Sequence, residues 1–127
     1  MSEKLWDPIR RIAVVATPEE RVRQRFVSFL LQRGCPISAI QVEYKVGQKG
    51  RFDVAVSAPD GSLWLLAECK AEIYPIERLW EMAWAQLRRY ARTLPLPNYF
   101  AVVIGSQIWC WQAKEGTPLN QFPEYPR

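Results

Sequence analysis

The sequence predicts an α/β fold in which helices pack on one mixed β-sheet, and three observations support it. Residues 17–34 carry apolar side chains at helical spacing, and residues 40–71 alternate between apolar and polar residues in three short runs. A second helical pattern separates these runs from two further apolar runs. The predicted order is α-β-β-β-α-β-β in a single domain, residues 1–127, with its core at about 17–113.

The first predicted helix follows a short leader and begins after Thr17. Thr17 suits the N-cap position, Pro18 suits the first helical turn, and Glu20 completes a capping box with Thr17. Gly34 ends the helix. The stripe expected to face the core consists of Val22, Phe26, Phe29, Leu30 and Arg33.

Three strands are predicted next. The first covers residues 39–48, where Glu43 and Lys45 share a face and form a solvated pair. The second, at residues 50–58, and the third, at residues 63–71, form a hairpin around the turn Pro-Asp-Gly-Ser. In the second strand, the apolar residues expected on one face are Phe52, Val54 and Val56.

A second helix is predicted from about 76 to 94, and a Leu-Pro-Leu-Pro-Asn segment ends it. Two strands follow, and the second of them is expected at the sheet edge. That edge strand carries Trp109 and Trp111, which suggests a homodimer. The proline-rich tail, residues 114–127, is expected to be irregular.

Composition excludes several kinds of chemistry. The chain contains no histidine, so triads and dyads that use a histidine base are excluded, as are histidine-metal nucleases. The formal net charge of +4 is compatible with a polyanionic partner. Cys35, Cys69 and Cys110 are odd in number and lack C-x-x-C spacing, which favours a reducing cytoplasm. The sequence shows neither an apolar run of membrane-spanning length nor a signal peptide.

Charged residues at the end of the third predicted strand are the most informative feature. Glu68 and Lys70 lie two residues apart and therefore project from the same face of the strand, whereas Cys69 points to the opposite face. The predicted hairpin brings Asp53 beside them. Two neighbouring carboxylates repel each other, and a hard cation such as Mg²⁺, with Mn²⁺ as a substitute, relieves that repulsion.

The metal ligands expected at this position are Asp53, Glu68 and the backbone carbonyl of Cys69. A hydrated Mg²⁺ beside Lys70 can hydrolyse a phosphodiester without histidine. An isolated Glu-x-Lys on a strand is more often a surface salt bridge, so the weight of this interpretation comes from Asp53 and the hairpin together.

Four sequence segments resemble the PD-(D/E)xK nuclease superfamily, and more narrowly the N-terminal nuclease domain of type I restriction enzyme R subunits. They occur in the order PEERVRQ, KGRFD, AECK and QLRRY. The resemblance implies a restriction-endonuclease-like three-layer fold. It also implies metal binding by Asp53 and Glu68, catalysis by Lys70, and a site motif formed by Gln86 and Tyr90.

The same resemblance implies a glutamate from the first helix as a further metal ligand. Glu19 is the candidate because it is expected to lie on the apolar stripe with Val22 and Phe26 and so to face inward. Glu20 is better explained as a capping residue. Arg51 stands two residues before Asp53 and is the preferred phosphate contact, together with Arg88 and Arg89 on the second helix. The other helix arginines are expected to form solvated faces.

These observations predict a cytoplasmic, Mg²⁺-dependent DNA endonuclease of the restriction type, with DNA and a separate motor or specificity subunit as partners. Two alternatives remain open. One is a catalytically silent nucleic-acid-binding module of the same fold. The other is a structural or interaction protein in which Asp53, Glu68 and Lys70 form a buried ion network.

Overall fold

The computed structural model describes residues 2–46, 50–71, 75–91 and 95–127, and within them it shows seven strands and two α-helices. The elements are β1 (Lys4–Asp7), β2 (Ile12–Val15), α1 (Pro18–Gln32), β3 (Ile40–Val46), β4 (Gly50–Ser57), β5 (Leu63–Lys70), α2 (Ile76–Ala91), β6 (Tyr99–Ile104) and β7 (Gln107–Gln112). From α1 onward the predicted order α-β-β-β-α-β-β is confirmed. No helix in the described residues is long and apolar enough to cross a membrane.

The main sheet has the strand order β3-β4-β5-β6-β7, so β5 is its central strand. All neighbours pair antiparallel except β5 and β6, which run parallel. A parallel pair requires a long crossover connection, and α2 provides it. The mixed sheet predicted from the sequence is therefore confirmed, and the carboxyl end of its central strand carries Glu68 and Lys70.

The two helices cover opposite faces of this sheet, which gives three layers. On one face, Phe26 and Leu30 of α1 pack in a buried cluster with Leu65 of β5. On the other face, Leu87 of α2 packs in a second cluster with Phe100 of β6. The inner strands β4, β5 and β6 therefore bury residues on both faces, and the predicted three-layer α/β architecture is confirmed.

Phe52 departs from the predicted alternation along β4. Val54 and Val56 belong to the cluster under α1, whereas Phe52 belongs to the cluster under α2. Regular alternation would place all three side chains on one face. The irregularity coincides with Glu43, across from Asp53, whose φ of 54° is in the left-handed region and interrupts the pairing of β3 with β4. The predicted common face is therefore wrong at Phe52.

The leader predicted from the sequence is instead a β-hairpin of β1 and β2. Asp7 is fully buried at its turn, and its Oδ1 accepts hydrogen bonds from the backbone N–H groups of Ile9 and Arg10. Asp side chains commonly stabilise turns in this way. The two strands are short, and the apolar residue Trp6 is 63% exposed. The alternation of apolar and polar residues that would predict these strands from the sequence is therefore weak.

The C-terminal tail packs against the α1 side of the domain. Phe122 makes edge-to-face contacts with Phe26 and Phe29, and the Tyr125 hydroxyl donates a hydrogen bond to the carbonyl of Ser57 over 2.6 Å. Arg33 adds a hydrogen bond to the Phe122 carbonyl. The aromatic side chains of the tail therefore extend the core.

Candidate active site

Asp53 and Glu68 lie on neighbouring strands at one end of the sheet. The register that pairs Val54 with Ala67 brings Asp53 alongside Glu68 one position further on. Oδ2 of Asp53 accepts a hydrogen bond from the backbone N–H of Cys69 over 2.7 Å. The hairpin therefore brings together the two carboxylates that the sequence analysis paired.

Glu68 is a buried carboxyl group that lacks a full set of partners. Glu68 is only 7% exposed to solvent, and its Oε1 has no hydrogen-bond partner in the described part of the chain. Burial raises the pKa of Glu68 to about 8, and the negative charge of Asp53 adds to the increase. Glu68 is therefore a proton acceptor of unusual strength for a carboxylate.

Lys70 ends β5 two residues after Glu68 and is half-buried. Its positive charge opposes the increase in the pKa of Glu68. The structure thus places Asp53, Glu68 and Lys70 in one electrostatic cluster at the end of β5. Metal binding by Asp53 and Glu68 and catalysis by Lys70 stay predictions.

The side chain of Cys69 packs in the core cluster under α1, as expected from strand alternation. Burial raises the pKa of its thiol, so the thiol stays protonated and acts as a small apolar group. The backbone of Cys69 faces Asp53 through its N–H group. Metal ligation by its carbonyl stays a prediction.

On α1 the side chain that is buried is that of Glu20 and not that of Glu19. Glu19 is exposed and Glu20 is buried, although the charge of Glu19 still contributes to the pKa of Glu68. Thr17 caps the helix as predicted, since its Oγ1 accepts from the N–H of Glu20 over 3.1 Å. The capping role predicted for the Glu20 carboxylate is wrong, because that carboxylate binds Arg10 and other side chains.

Arg23 connects α1 to the candidate active site, so the solvated position expected for the helix arginines is wrong at this residue. Its Nη2 donates to Oδ1 of Asp53 over 3.1 Å. Its Nη1 lies 3.4 Å from Oε1 of Glu20 and 3.5 Å from Oε1 of Glu43. The position of Arg23 between the buried residues Val22 and Val27 was the available signal, because an arginine there lies at the border of the buried face.

Arg10 of the N-terminal hairpin extends this ion network. Its Nη2 lies 2.5 Å from Oε1 of Glu20, and its Nε bonds Asp7. Burial would raise the pKa of Asp7, but hydrogen bonds from Arg10 and from the turn backbone outweigh burial and lower it. The hairpin is therefore tied by buried charge to the helix that carries Arg23.

Glu43 belongs to the same network, so its predicted solvated pairing with Lys45 is wrong. Its Oε2 lies 3.8 Å from Nη1 of Arg51, and its Oε1 lies 3.7 Å from Nη1 of Arg10. The left-handed backbone of Glu43 re-aims its side chain toward these arginines. The Arg51 side chain remains 61% exposed at the open end of the site.

The remaining predicted residues lie on α2 and β7. Arg88 and Arg89 are exposed, and Arg88 stacks over Trp84 at 5.4 Å. Gln86 and Tyr90 are one turn apart on α2, but their side chains lie outside the described residues. Trp111 is buried within the cluster under α2, which gives that ring a role in the chain's own core. The homodimer stays a prediction.

The three-layer fold, with Asp53 on β4 and Glu68 on the neighbouring central strand β5, is consistent with a restriction-endonuclease-like class of domain. Residues 18–126 match the family model described as the type I restriction enzyme R protein N terminus (HSDR_N), and the chain belongs to this family. The resemblance seen in the sequence is thereby confirmed. The hairpin of β1 and β2 precedes the matched segment. Comparison with curated proteins and with solved structures gave no significant match.

Proposed function

We propose that this domain is a metal-dependent DNA endonuclease that hydrolyses phosphodiester bonds within a restriction system. The observation that carries the proposal is the buried, unpartnered Oε1 of Glu68 beside the carboxylate of Asp53. A divalent cation is the partner that satisfies such an atom and offsets the repulsion between the two acids. Family membership supports DNA and other restriction subunits as partners. Action in the cytoplasm is part of the proposal and is supported by the three free cysteines.

The donor set fits one hard cation held by few protein ligands. In the described ranges no three acidic or cysteine side chains cluster closely enough to hold a metal, so Asp53 and Glu68 are the available pair. Mg²⁺ commonly binds through one or two carboxylates and completes its shell with water and substrate oxygens. When bound, the ion supplies an activated water and neutralises charge on the phosphate.

The other residues of the site act on the substrate in this proposal. Lys70 holds a positive charge where a scissile phosphate accumulates negative charge, which lowers the reaction barrier. Arg51 lies at the exposed end of the site and can bind a neighbouring phosphate of the DNA backbone. Asp53 is held in place by the N–H of Cys69, so its orientation is set before metal arrives.

A plasmid-nicking assay tests this function. Wild type with Mg²⁺ or Mn²⁺ is expected to nick supercoiled plasmid, and Glu68→Gln and Lys70→Met are each expected to lower the rate by about 100-fold or more. Glu115→Gln and Lys114→Met remove the same charges beyond β7, at the opposite end of the sheet. We expect both control variants to nick plasmid at the wild-type rate. Excess chelator is expected to abolish nicking by wild type and by the controls.

A catalytically silent DNA-binding domain is the second candidate, and the ion pair between Arg23 and Asp53 favours it. That pair already supplies a positive partner to one of the two acids. Salt-sensitive retention of DNA in a gel, without nicking under any metal condition, supports the silent domain and contradicts the nuclease.

A further inference from the structure

We propose that Arg23 neutralises the charge of Asp53 in the metal-free protein and that a divalent metal ion displaces it from the candidate active site. This inference rests on the proposed function. It adds Arg23 as a residue that controls metal binding. Arg23 reaches Asp53 from α1, across the layer boundary between helix and sheet. Its guanidinium always carries a positive charge. It therefore occupies the electrostatic position that a metal ion would take at Asp53.

The ion pair is sheltered from water, so its charge is effective. The side chains of Arg23 and Asp53 are 11% and 20% exposed. Screening by dissolved salt weakens exposed pairs much more than partly buried ones. An arginine in this setting lowers the local affinity for other cations, because two positive charges at close range in a low-dielectric site repel each other.

Both oxygens of Asp53 already accept hydrogen bonds. Oδ1 accepts from Arg23 over 3.1 Å, and Oδ2 accepts from the N–H of Cys69 over 2.7 Å. The bond from Cys69 is part of the backbone and is fixed by the fold. The bond from Arg23 comes from a long side chain, so it is the one that gives way when a metal ion binds Oδ1.

Two buried atoms in the site lack hydrogen-bond partners within the described residues: Nε of Arg23 and Oε1 of Glu68. One is a donor and the other is an acceptor, and buried polar atoms without partners are unfavourable. A cation between Asp53 and Glu68 would satisfy Oε1, and movement of Arg23 would change the surroundings of Nε. The arrangement therefore corresponds to the metal-free state of a site that has two states, with and without the metal ion.

The structure also contains a second position for the displaced guanidinium. Nη1 of Arg23 already lies 3.4 Å from Glu20 and 3.5 Å from Glu43. Glu20 is held by Arg10 at 2.5 Å and by Nε2 of Gln24 at 3.3 Å. Because these acids are fixed independently of Asp53, Arg23 can move toward them and remain paired.

Calorimetric titration of the full chain with Mn²⁺ and with Mg²⁺ tests the proposal without any measurement of activity. Arg23→Gln is expected to bind the metal at least about tenfold more tightly than wild type, because the competing charge is removed. Arg23→Lys keeps the charge and is expected to stay within about threefold of wild type. Arg21→Gln removes an exposed arginine of the same helix, paired with Glu3, and leaves the affinity unchanged.

The gain must depend on Asp53. Adding Asp53→Asn to Arg23→Gln is expected to remove the tenfold increase. In wild type, the ¹⁵N resonance of the Arg23 Nε–H group, identified by its absence from Arg23→Lys, is expected to shift during Mg²⁺ titration with the calorimetric Kd. This measurement remains informative if Arg23→Gln folds poorly.

Four results overturn the proposal. They are unchanged or weaker binding by Arg23→Gln, equal tightening by Arg23→Lys, a tenfold increase that persists when Asp53→Asn is added, and no metal binding by any variant together with an unshifted Nε–H resonance. These results are distinguishable from failure of the proposed function. A protein that shows the tighter binding but does not nick DNA supports displacement of Arg23 and contradicts only the nuclease.

Discussion

Nη2 of Arg10 lies 2.5 Å from Oε1 of Glu20, and this contact joins the N-terminal hairpin to helix α1. The hairpin precedes the segment that matches the family model, whereas α1 lies within it. Because Glu20 also lies 3.4 Å from Arg23, the hairpin and the candidate active site share one ion network. The hairpin therefore supports the candidate active site structurally, and we expect its removal to disturb the ion network there.

Replacement of Asp7 tests this support. Asp7→Asn keeps an acceptor for the turn N–H groups but removes the charge that binds Arg10. Because Asp7 is fully buried, we expect a loss of about 1–3 kcal/mol in the free energy of unfolding, measured by urea denaturation. Asp60→Asn changes an exposed acid in the turn before β5 and should leave the urea midpoint unchanged. Equal midpoints for Asp7→Asn and wild type would show that the hairpin is not anchored by this charge.

The raised pKa of Glu68 predicts how stability changes with pH in the metal-free protein. Its pKa is about 8 when folded and 4.5 in an ordinary exposed glutamate, so between these values the folded chain holds a proton that the unfolded chain has released. The contribution of Glu68 is therefore complete below about pH 4.5 and is lost as the pH rises toward 8. Stability should fall with a slope that approaches about 1.4 kcal/mol per pH unit.

Urea denaturation in chelator at several pH values measures this effect. Glu68→Gln removes the titrating group, so the difference in unfolding free energy between wild type and variant should grow steadily from acidic to mildly alkaline pH. A constant difference over that range would mean that Glu68 titrates normally in the folded protein. Excess Mg²⁺ should reduce the pH dependence if the metal binds the ionised form of Glu68.

The Asp53–Glu68–Lys70 arrangement was predictable because it follows from strand alternation and one short turn. In that turn Gly61 has a φ of 87°, which glycine adopts at low cost, and Ser62 bonds Asp60. These local rules fix which residues of β4 and β5 are neighbours. The pairing of β4 with β5, which brings Asp53 beside Glu68, was therefore visible in the sequence once the hairpin was recognised.

The ion network around Arg23 was not predictable from the same rules. Its members come from four separate elements, and the contacts depend on how α1 is rotated over the sheet. Helical periodicity places Glu19 and Glu20 only 100° apart around the axis of α1. A small error in the predicted position of the buried stripe is therefore enough to select the exposed Glu19 instead of the buried Glu20. The left-handed conformation of Glu43 was equally hidden, since nothing in the local sequence demands it.

Phe122 should contribute substantially to stability although it lies in an irregular tail. Its ring packs edge-to-face against Phe29 at 5.1 Å and against Trp64 at 6.2 Å. Because the residue is only half-buried, Phe122→Ala should cost about 2 kcal/mol, less than a fully buried phenylalanine. Thermal and urea denaturation measure the loss, and Phe122→Leu should recover about half of it. A wild-type midpoint for Phe122→Ala would show that the tail does not stabilise the core.

Arg51 should contribute to DNA affinity through charge alone. It is exposed at the open end of the site, where a DNA phosphate can reach it, so Arg51→Gln should weaken binding by severalfold in fluorescence anisotropy at moderate salt. The slope of log affinity against log salt concentration should become shallower by about 1, because one fewer counterion is released. Lys114→Gln removes a positive charge beyond the opposite end of the sheet and should leave both quantities unchanged. If both variants weaken binding equally, DNA responds to the net charge of the chain, and the open end beside Asp53 is not its docking position.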